Sequence, residues 1–527
     1  MISGKNYIGN TLSAQGKVTY TTFNPRLNLK NPWTFYEASE EELEQAVQLA
    51  SQAFELYRTV QGKQKAVFLR TIADQIESLG NELIETYMAE SGLPEGRAMG
   101  ERGRTLGQLR MFADLLDEGN WVEASIDTAL PERKPVPKPD LRKMLTPIGP
   151  IVVFGSSNFP LAYSTAGGDT ASALAAGCPV IVKSHPMHAG TGELVASAIV
   201  AATKACGMPD GVFSNLNSSD IQIGQQLVRH PGVKGVGFTG SIAGGTTLHK
   251  LSIERKEPIP VFAEMGSINP VVILPSALNK EPEYWASAYA ASITLGTGQF
   301  CTNPGLILTI EGSGLGTFLE TLGQETLKKE AGLMLHPDIH RKYEEGQKEM
   351  TVQEGTAVVA EYQEKTAPNY ARPKILTVPG NAFLKNTNLH KEVFGPFSLV
   401  VKCRDMEEMI NIIAALEGQL TGTLIGNEEE LKNNSALVAQ LQERVGRLIF
   451  NGVPTGVEVC ASMVHGGPFP ATTDSRFTAV GSDAIRRWVR PVSFQDWPDA
   501  LLPDSLKNSN PLGIRRMVNG EYNTKAL

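Results

Sequence analysis

The feature that most restricts the fold is a regular alternation of short apolar segments with longer helical ones, which begins near residue 151. Segments with strand-like composition lie at 151–154, 179–183, 212–216 and 233–238. Helical segments lie between them, at 164–176, 191–205 and 219–229. Strands that alternate with helices of this length are typical of βαβ units, in which the strands run parallel. The alternation therefore predicts an α/β fold with a doubly wound parallel sheet.

The same alternation resumes after residue 264. Strand-like segments at 270–274 and 306–310 alternate with helical segments at 281–296 and 315–329. A chain of 527 residues is too long for one simple core. We therefore predict a second doubly wound sheet.

The flanking segments have different patterns. Ser39 and Glu42 have the spacing of a capping box. Amphipathic helices are predicted after this box and at 63–79, 81–91 and 96–117. The Pro-rich segment 131–140 predicts an extended link. The tail, 491–527, is rich in Pro, Asn and Asp, and we expect it to wrap around a surface or a partner subunit rather than to form a core.

Composition and charge exclude several classes of protein. The net charge of −8 argues against a nucleic-acid partner, because there is no basic excess to neutralise phosphates. No apolar stretch is long enough to span a membrane, and the N-terminus lacks the pattern of a secretory signal. The five cysteines have no paired spacing, so we expect reduced thiols in a cytoplasmic protein. The eight histidines show no metal-ligand spacing, and we expect no metal.

One cysteine has the surroundings of a nucleophile. Cys301 follows a Gly-rich turn at the end of a predicted helix, and polar residues flank it. A thiolate at such a position can attack a carbonyl carbon. The remaining cysteines are interpreted as small buried hydrophobes, namely Cys178, Cys206, Cys403 and Cys460.

Other candidate residues follow predicted strands, where α/β domains bind their ligands. Glu264 ends an apolar segment, and the alternative interpretation is an ordinary surface carboxylate. Asn158 is either a turn residue or an amide donor to an oxyanion. Gly240 and Ser241, with Gly245 at the start of the next helix, form a candidate phosphate cradle.

Together these segments resemble one family. GSSNFPL, AAGCPVIVKSHP, FTGSIAGG, AEMGSINP, GQFC, EVFGPF and NGVP occur in the order and approximate spacing of the aldehyde dehydrogenase superfamily. The resemblance runs from about residue 40 to about residue 490. Within the superfamily, HGGPFPATTDSRFTAVG and GRTLGQLRMFADL are similar to the α-ketoglutaric semialdehyde (2,5-dioxovalerate) dehydrogenases and their fatty-aldehyde relatives.

The resemblance implies a domain organisation and an assembly. It implies an aldehyde dehydrogenase-like α/β fold of two doubly wound domains and an oligomerisation segment, in a homodimer or homotetramer. The dinucleotide-binding domain is expected at 1–130 and 147–263, and the catalytic domain at 264–465. The bridging or oligomerisation segments are expected at 131–146 and 485–527.

The resemblance also implies roles for the catalytic candidates. Cys301 matches the nucleophile that forms a thiohemiacetal with the aldehyde. The Asn158 amide and the Cys301 backbone N–H would hold the oxyanion, and Glu264 matches the general base that activates water to release the acid.

The resemblance assigns a nicotinamide cofactor to a further set of residues. Gly240 and Ser241 match the pyrophosphate-binding turn, and Lys183 matches the adenosine-ribose contact. Glu392 and Phe394 match the pair at the nicotinamide ribose. The predicted cofactor residues are Lys183, Ser184, Gly240, Ser241, Gly245, Glu392 and Phe394.

One departure from the family pattern concerns cofactor choice. Many NAD-preferring members carry a glutamate three residues after the lysine, whereas Pro186 stands in that position here. A carboxylate there would repel a 2′-phosphate, so its absence predicts NADP as cofactor, with NAD possible. Lys183 and Ser184, with His185 or His188, are the predicted phosphate donors.

The expected substrate is a small aldehyde, most specifically α-ketoglutaric semialdehyde oxidised to 2-oxoglutarate. Arg104 falls where relatives commonly place an apolar tunnel residue, so it is either a solvated charge or a carboxylate partner. Gln108 lies four residues further along the same helix and is expected on the same face. The predicted walls of the tunnel are Phe159, Phe300 and Pro454.

Three alternatives remain open. The substrate is alternatively a medium- or long-chain aliphatic aldehyde. A thiol hydrolase would need a histidine beside the thiol, and no histidine lies in a motif-like context near Cys301. A non-catalytic protein could use the same fold, since fold alone does not determine function.

Overall fold

The computed structural model describes residues 2–362, 364 and 366–527. Within these residues the strands are, in chain order, β1 (Asn6–Ile8), β2 (Thr11–Ser13), β3 (Thr19–Asn24), β4 (Leu29–Tyr36), β5 (Ser125–Asp127), β6 (Leu141–Pro147), β7 (Ile151–Phe154), β8 (Val180–Lys183), β9 (Phe213–Leu216), β10 (Gly235–Thr239), β11 (Val261–Glu264), β12 (Val271–Ile273), β13 (Leu306–Ile310), β14 (Gly332–Leu333), β15 (Ala357–Ala360), β16 (Tyr370–Ala371), β17 (Lys374–Pro379), β18 (Phe397–Cys403), β19 (Gln419–Ile425), β20 (Val445–Phe450), β21 (Val489–Gln495), β22 (Arg516–Val518) and β23 (Glu521–Asn523). The α-helices are α1 (Glu40–Tyr57), α2 (Gly62–Ser78), α3 (Gly80–Ser91), α4 (Glu95–Glu118), α5 (Gly168–Ala176), α6 (Ala189–Ala205), α7 (Gln222–Arg229), α8 (Ile242–Ile253), α9 (Pro275–Lys280), α10 (Pro282–Thr294), α11 (Leu315–Leu327), α12 (Pro337–Thr351), α13 (Gly380–Lys385), α14 (Met406–Ala415), α15 (Glu428–Asn433) and α16 (Ser435–Gln442).

The first sheet is a doubly wound sheet with an antiparallel extension. Its strand order is β11-β10-β7-β8-β9-β1-β2, and the first five strands run parallel. Successive side chains of β7 point into two different apolar clusters: Ile151 and Val153 into one, Val152 and Phe154 into the other. A strand with a core on both faces needs apolar residues at every position, which explains the unbroken apolar segments of the sequence.

The second sheet repeats this arrangement. Its order is β15-β17-β18-β13-β12-β19-β20, with all neighbours parallel except β15 and β17. Val272 of β12 packs into one apolar cluster, whereas Val271 and Ile273 pack into another on the opposite face. The predicted α/β fold with two doubly wound sheets is confirmed.

A third, smaller sheet joins the tail to the middle of the chain. Its order is β21-β6-β5-β22-β23. The prediction that the tail forms no core is wrong, because Leu502, Leu506 and Ile514 are buried against Val122 and Ile126. The apolar residues of the tail are scattered among prolines. They suffice to form a small core because β5 and β6 supply its other half.

Several predicted boundaries differ from the structure. Residues 125–127 form β5 of the third sheet, although the sequence assigned residues up to 130 to the first domain. Ile485 and Trp488 lie in the main apolar cluster of the first domain and not in a bridging segment. The helix expected at 164–176 begins only at Gly168, because residues 155–167 form a loop at the end of β7. The N-terminal strands β1 and β2 were not predicted.

Candidate active site

Four predicted site residues lie at the carboxyl ends of neighbouring strands in the first sheet. Lys183 and Glu264 are the last residues of β8 and β11, and Asn158 and Gly240 follow β7 and β10. These four strands are parallel neighbours, so their carboxyl ends meet along one rim. This rim is where α/β domains bind ligands.

Cys301 reaches this rim from the second domain, on a turn with an unusual backbone. Residues 296–298 follow α10 and have φ angles of 55°, 59° and 63°, in the left-handed region that favours glycine. Gly298 also has no room for a side chain, because a Cβ would meet the backbone carbonyl of Gly395. The glycines before the nucleophile are therefore required by the turn.

Two asparagine amides hold this turn in place. Asn269 donates from Nδ2 to the carbonyl oxygens of Cys301, at 2.8 Å, and of Asn303, at 2.9 Å. Asn158 donates from Nδ2 to the Gln299 carbonyl oxygen at 3.1 Å, which leaves its second amide hydrogen free of that bond. The structure thus brings Asn158 next to the nucleophile turn, and its role towards an oxyanion stays a prediction.

A histidine lies between the two predicted catalytic groups. His465 Nε2 is 3.3 Å from Cys301 Sγ, and His465 Nδ1 is 3.1 Å from Glu264 Oε2. The side chains of His465 and Glu264 are 3% and 8% exposed. Thr478 fixes the histidine backbone by accepting from its N–H at 2.9 Å. Nucleophile, imidazole and carboxylate therefore form one hydrogen-bonded series.

The electrostatics of this series favour a charged imidazole. Burial alone would lower the pKa of His465, but the Cys301 sulfur, the Tyr163 oxygen and the Glu264 carboxylate together raise it well above its usual value. Burial raises the pKa of Glu264, and its hydrogen bond with His465 opposes part of this increase. A charged imidazole stabilises negative charge that develops on the neighbouring sulfur during the reaction.

His465 was not predicted from the sequence, and the expectation that no histidine lies near Cys301 is wrong. A thiol hydrolase was disfavoured because no histidine had a motif-like context near Cys301, yet the two side chains are in contact. Their separation of 164 positions in the sequence conceals this proximity. The available signal was the segment HGGPFPATTDSRFTAVG, which begins at His465 and was used only for the family resemblance.

The glycine-rich start of α8 matches what a phosphate group needs. Ser241 caps the helix by accepting from the Gly244 N–H at 3.2 Å. A Cβ on Gly240 or Gly244 would meet the ring of Phe238, and one on Gly245 would meet Met265. The bare backbone and the positive end of the helix dipole fit a pyrophosphate at this turn.

The predicted adenosine side of the crevice is built on the end of β8. Lys183 donates from Nζ to the Ser218 carbonyl oxygen at 2.7 Å, and burial lowers its pKa to about 8 although Glu37 and Asp220 oppose the change. Ser184 is buried, and its hydroxyl has no hydrogen-bond partner among the described residues. An unpartnered hydroxyl beside a lysine fits a ligand oxygen.

The predicted nicotinamide-ribose pair lies next to the nucleophile turn. Glu392 and Phe394 share a small cavity with Gly298 and Phe300. Glu392 is exposed to solvent at this cavity, so its carboxylate is accessible to ribose hydroxyls. The residues present therefore fit a dinucleotide that extends from α8 to Cys301.

The proposed substrate tunnel contains aromatic side chains and a bound guanidinium group. Arg104 donates from Nη1 to the Val457 carbonyl oxygen at 2.6 Å and from Nη2 to the Tyr163 hydroxyl at 3.1 Å. The interpretation of Arg104 as a solvated surface charge is therefore wrong. Phe159 and Phe300 pack edge to face, with ring centroids 5.8 Å apart.

The side chain of Gln108 has different surroundings from that of Arg104. Its side chain is 2% exposed and donates to the Ala162 carbonyl oxygen at 3.4 Å. Gly168 lies directly against its amide oxygen. A four-residue spacing advances the helix by 400°, about 40° beyond a full turn, and this places Gln108 under the 155–167 loop. Its role as a substrate contact stays a prediction.

Comparison with known proteins identifies the class of protein. The sequence matches the profile described as the aldehyde dehydrogenase family over residues 12–469, and the chain belongs to this family. It is similar to "Alpha-ketoglutaric semialdehyde dehydrogenase 2" of Azospirillum brasilense, with 48% identity over 99% of each chain. It is also similar to "Alpha-ketoglutaric semialdehyde dehydrogenase" of Acinetobacter baylyi, with 45% identity over 98% of each chain.

Solved structures share the fold at lower identity. Methylmalonate-semialdehyde dehydrogenase from Oceanimonas doudoroffii superposes with a TM-score of 0.80 at 18% identity, covering 94% of this chain and 99% of the other. 1-Pyrroline-5-carboxylate dehydrogenase from Thermus, solved with bound NAD, gives 0.78 at 20% identity, covering 93% and 92%. The chain is thus an aldehyde dehydrogenase in sequence and in fold, an oxidoreductase that acts on aldehydes.

Two other classes of site were sought. No group of three or more His, Cys, Asp or Glu side chains in the described part of the chain is arranged to hold a metal ion. No helix among the described residues has the length and hydrophobicity needed to cross a membrane.

We predict that His465→Gln slows thiol attack and moves the acid limb of thioester hydrolysis to higher pH. The pKa of Glu264 is already raised by burial, and loss of the histidine removes the partner that lowers it. Because the base must be ionised, hydrolysis then fails at a higher pH. Loss of a proton-transfer group typically costs about 10²–10⁴-fold in rate. Single-turnover kinetics across pH measures both effects.

His230→Gln is the matched control, because this histidine contacts Glu44 of α1 rather than the site. If the acid limb of the pH profile is unchanged in both His465→Gln and His230→Gln, His465 takes no part in the proton transfer.

Proposed function

We propose that this chain oxidises α-ketoglutaric semialdehyde to 2-oxoglutarate, with NADP as the preferred cofactor and a thioester on Cys301 as intermediate. The contact series from Cys301 through His465 to Glu264 is the observation that carries the chemistry. The substrate is supported by two relatives of that name, which match the whole chain at 48% and 45% identity. Arg104 supports an acidic substrate, because its guanidinium lies next to the predicted tunnel wall.

The first half of the reaction uses the imidazole and the amide donors. His465 keeps the thiol proton as Cys301 Sγ attacks the aldehyde carbon. The carbonyl oxygen becomes an oxyanion, to which Asn158 Nδ2 and the Cys301 backbone N–H donate. A nicotinamide cofactor held by the residues at α8 and Glu392 would supply the acceptor for the hydride that leaves this carbon. A thioester on Cys301 remains, and loss of one oxyanion donor typically costs ~10²–10³ in rate.

The second half of the reaction uses the carboxylate. Glu264 accepts a proton from water as the water oxygen attacks the thioester carbon, and the bond to Cys301 Sγ breaks. The leaving sulfur is a thiolate beside a charged His465, which favours its departure. The raised pKa of Glu264 makes it a stronger base than an ordinary carboxylate.

The preference for NADP rests on the composition of the adenosine side. Pro186 replaces the carboxylate that would repel a 2′-phosphate, and Lys183 and Ser184 lie beside it. Burial and the neighbouring His188 and Lys183 hold the pKa of His185 well below its usual value, so this imidazole would donate as a neutral group. Glu37, which accepts from the Ser219 N–H at 2.8 Å, and Asp220 are the carboxylates that act on Lys183 here.

The contact between Cys301 and His465 also favours a second reaction. Nucleophile, imidazole and carboxylate occur in the order used by thiol hydrolases. Hydrolysis of an activated ester without cofactor is therefore the second candidate, and a non-catalytic role is disfavoured by this arrangement. A medium- or long-chain aliphatic aldehyde is the alternative substrate.

We propose a homodimer or homotetramer built on free strand edges. β20 is the outer strand of the second sheet, and its Leu448 and Phe450 are 40% and 47% exposed. β21 is the outer strand of the third sheet. Exposed strand edges with apolar side chains pair readily with another chain.

A substrate panel tests the proposed function. We expect kcat/KM with NADP to be highest for α-ketoglutaric semialdehyde, and lower for hexanal and decanal by about ten- to a hundredfold, since a charge-assisted pair contributes roughly 1.5–3 kcal/mol. Absorbance of the reduced cofactor measures each rate. Equal rates would favour the aliphatic substrate, and turnover of a p-nitrophenyl ester without oxidation of any aldehyde would favour the hydrolase.

Two substitutions separate the two halves of the reaction. Cys301→Ser should abolish oxidation, because a hydroxyl is a far weaker nucleophile than a thiolate. Glu264→Ala should give one burst of reduced cofactor per site and then stall as the thioester, which mass spectrometry of the intact protein detects. Cys206→Ser is the control, because this thiol contacts Thr71 far along the chain from the site. Steady wild-type turnover in Glu264→Ala would rule out the base.

Cofactor preference has its own test. We expect kcat/KM to be higher for NADP than for NAD, and Pro186→Glu to reverse the order by placing a carboxylate against the 2′-phosphate. Steady-state kinetics with each cofactor at saturating aldehyde measures the ratio. Pro186→Ala is the control for loss of the proline ring. A strong preference of the wild type for NAD would contradict the proposal.

A further inference from the structure

Two guanidinium groups from different domains bind the same short loop. Arg104 on α4 donates to the carbonyl oxygen of Val457 at 2.6 Å. Arg447 on β20 donates to the carbonyl oxygens of Gly456 at 3.0 Å and Pro454 at 2.8 Å. The residues 454–457 include the proline predicted as a tunnel wall, so both cations border the proposed substrate tunnel.

These two cations lack an anionic partner. Among the described residues neither Arg104 nor Arg447 has a carboxylate oxygen within 4.0 Å, whereas the neighbouring Arg97 has Glu101 at 3.5 Å. The Nε of Arg104 is buried and has no hydrogen-bond partner in the described part of the chain. A buried donor without a partner is destabilising, and an incoming anion would offset that cost.

A tyrosine connects this region to the catalytic series. Tyr163 accepts from Arg104 Nη2 at 3.1 Å, so its own hydroxyl hydrogen remains to be donated elsewhere. Burial raises the pKa of Tyr163, which keeps the hydroxyl protonated. Its ring centroid is 6.1 Å from that of His465. Tyr163 thus contacts the Arg104 guanidinium through its hydroxyl, and its ring lies beside the imidazole that contacts Cys301.

Arg447 also interacts electrostatically with the nucleophile. Burial lowers the pKa of Arg447, and electrostatic interaction with the nearby Cys301 and Tyr163 side chains opposes that change. A charged His465 adds to the positive charge of Arg104 and Arg447, so an acidic substrate would complement this region.

We propose that Arg447 and Arg104 clamp the substrate carboxylate between them, while the Tyr163 hydroxyl donates to the adjacent 2-oxo oxygen. The three groups then form a receptor for a 2-oxo acid, with the aldehyde end directed at Cys301. This inference rests on the proposed function, because it needs a semialdehyde that carries a carboxylate. It adds two specificity-determining residues, Arg447 and Tyr163, to those found from the sequence.

Three aldehydes of equal chain length test the receptor group by group: α-ketoglutaric semialdehyde, glutaric semialdehyde, which lacks the 2-oxo group, and pentanal, which lacks both groups. We expect Arg447→Met and Arg104→Met to raise KM for both acids by about ten- to a hundredfold, with kcat and the pentanal KM within twofold. Arg447→Lys should recover part of the loss. Tyr163→Phe should raise KM roughly threefold to tenfold for α-ketoglutaric semialdehyde alone.

Pentanal distinguishes recognition from a structural role, since Arg447 also holds the 454–457 loop. A rise of the pentanal KM equal to that of the acids would show that Arg447 only supports the loop, and would overturn the proposal. Arg444→Met is the matched control, because Arg444 donates to the Ala414 carbonyl oxygen, away from the tunnel. Inhibition by 2-oxoglutarate against pentanal is a second readout, and Arg447→Met should weaken it by the same factor as KM.

Failure of the receptor and failure of the proposed function give different results. If the wild type uses pentanal as well as it uses α-ketoglutaric semialdehyde, the proposed function is wrong and the receptor with it. If the wild type prefers the acid but Arg447→Met leaves every KM unchanged, the receptor alone is wrong.

Discussion

The catalytic arrangement depends on how the outer edge of β11 is closed. β11 is the last strand of the first sheet, and an edge strand leaves backbone N–H and C=O groups unpaired. Here the Met265 N–H donates to the Ala471 carbonyl oxygen at 2.8 Å, and the Thr473 N–H donates to the Ala263 carbonyl oxygen at 3.2 Å. The backbone pairing of residues 471–473 with β11 holds the preceding residues, including His465, next to Glu264.

The same segment also contacts the second domain, which explains how the nucleophile and the base meet. The Gly418 N–H donates to the Phe469 carbonyl oxygen at 3.1 Å, just before β19 begins. Segment 465–473 therefore lies between one strand of each sheet, while Cys301 approaches from the second domain on its turn. Glu264 and Cys301 reach a common imidazole because both domains are fixed to one piece of backbone.

How much of this the sequence could predict follows from the range of the interactions. Periodicity, apolar segments and capping are local, so the two parallel sheets and the helices α1 to α4 were predicted with small errors in their ends. The roles of Cys301 and Glu264 came from motifs whose residues are close in sequence. His465 depends on backbone pairing between residues about 200 positions apart, and the five-stranded sheet of the tail depends on similarly distant partners.

Gln108 and Arg447 show a second limit of prediction from the sequence, because distant parts of the chain decide what surrounds each side chain. Helical spacing placed Gln108 near Arg104, but whether a side chain faces a tunnel or a core is decided by the loop that covers the helix. Arg447 lies in no recognisable motif, so only its hydrogen-bond partners in the structure indicate a role. Arg97 is neutralised by a carboxylate, whereas the partners of Arg104 and Arg447 among the described residues are neutral groups. Neutral dipoles satisfy hydrogen bonds without cancelling a charge, so both cations keep their positive charge beside residues 454–457. Arg104 and Arg447 hold residues 454–457, and His465 follows shortly after in the chain. An anion bound to the two arginines would therefore act on the segment that positions the imidazole.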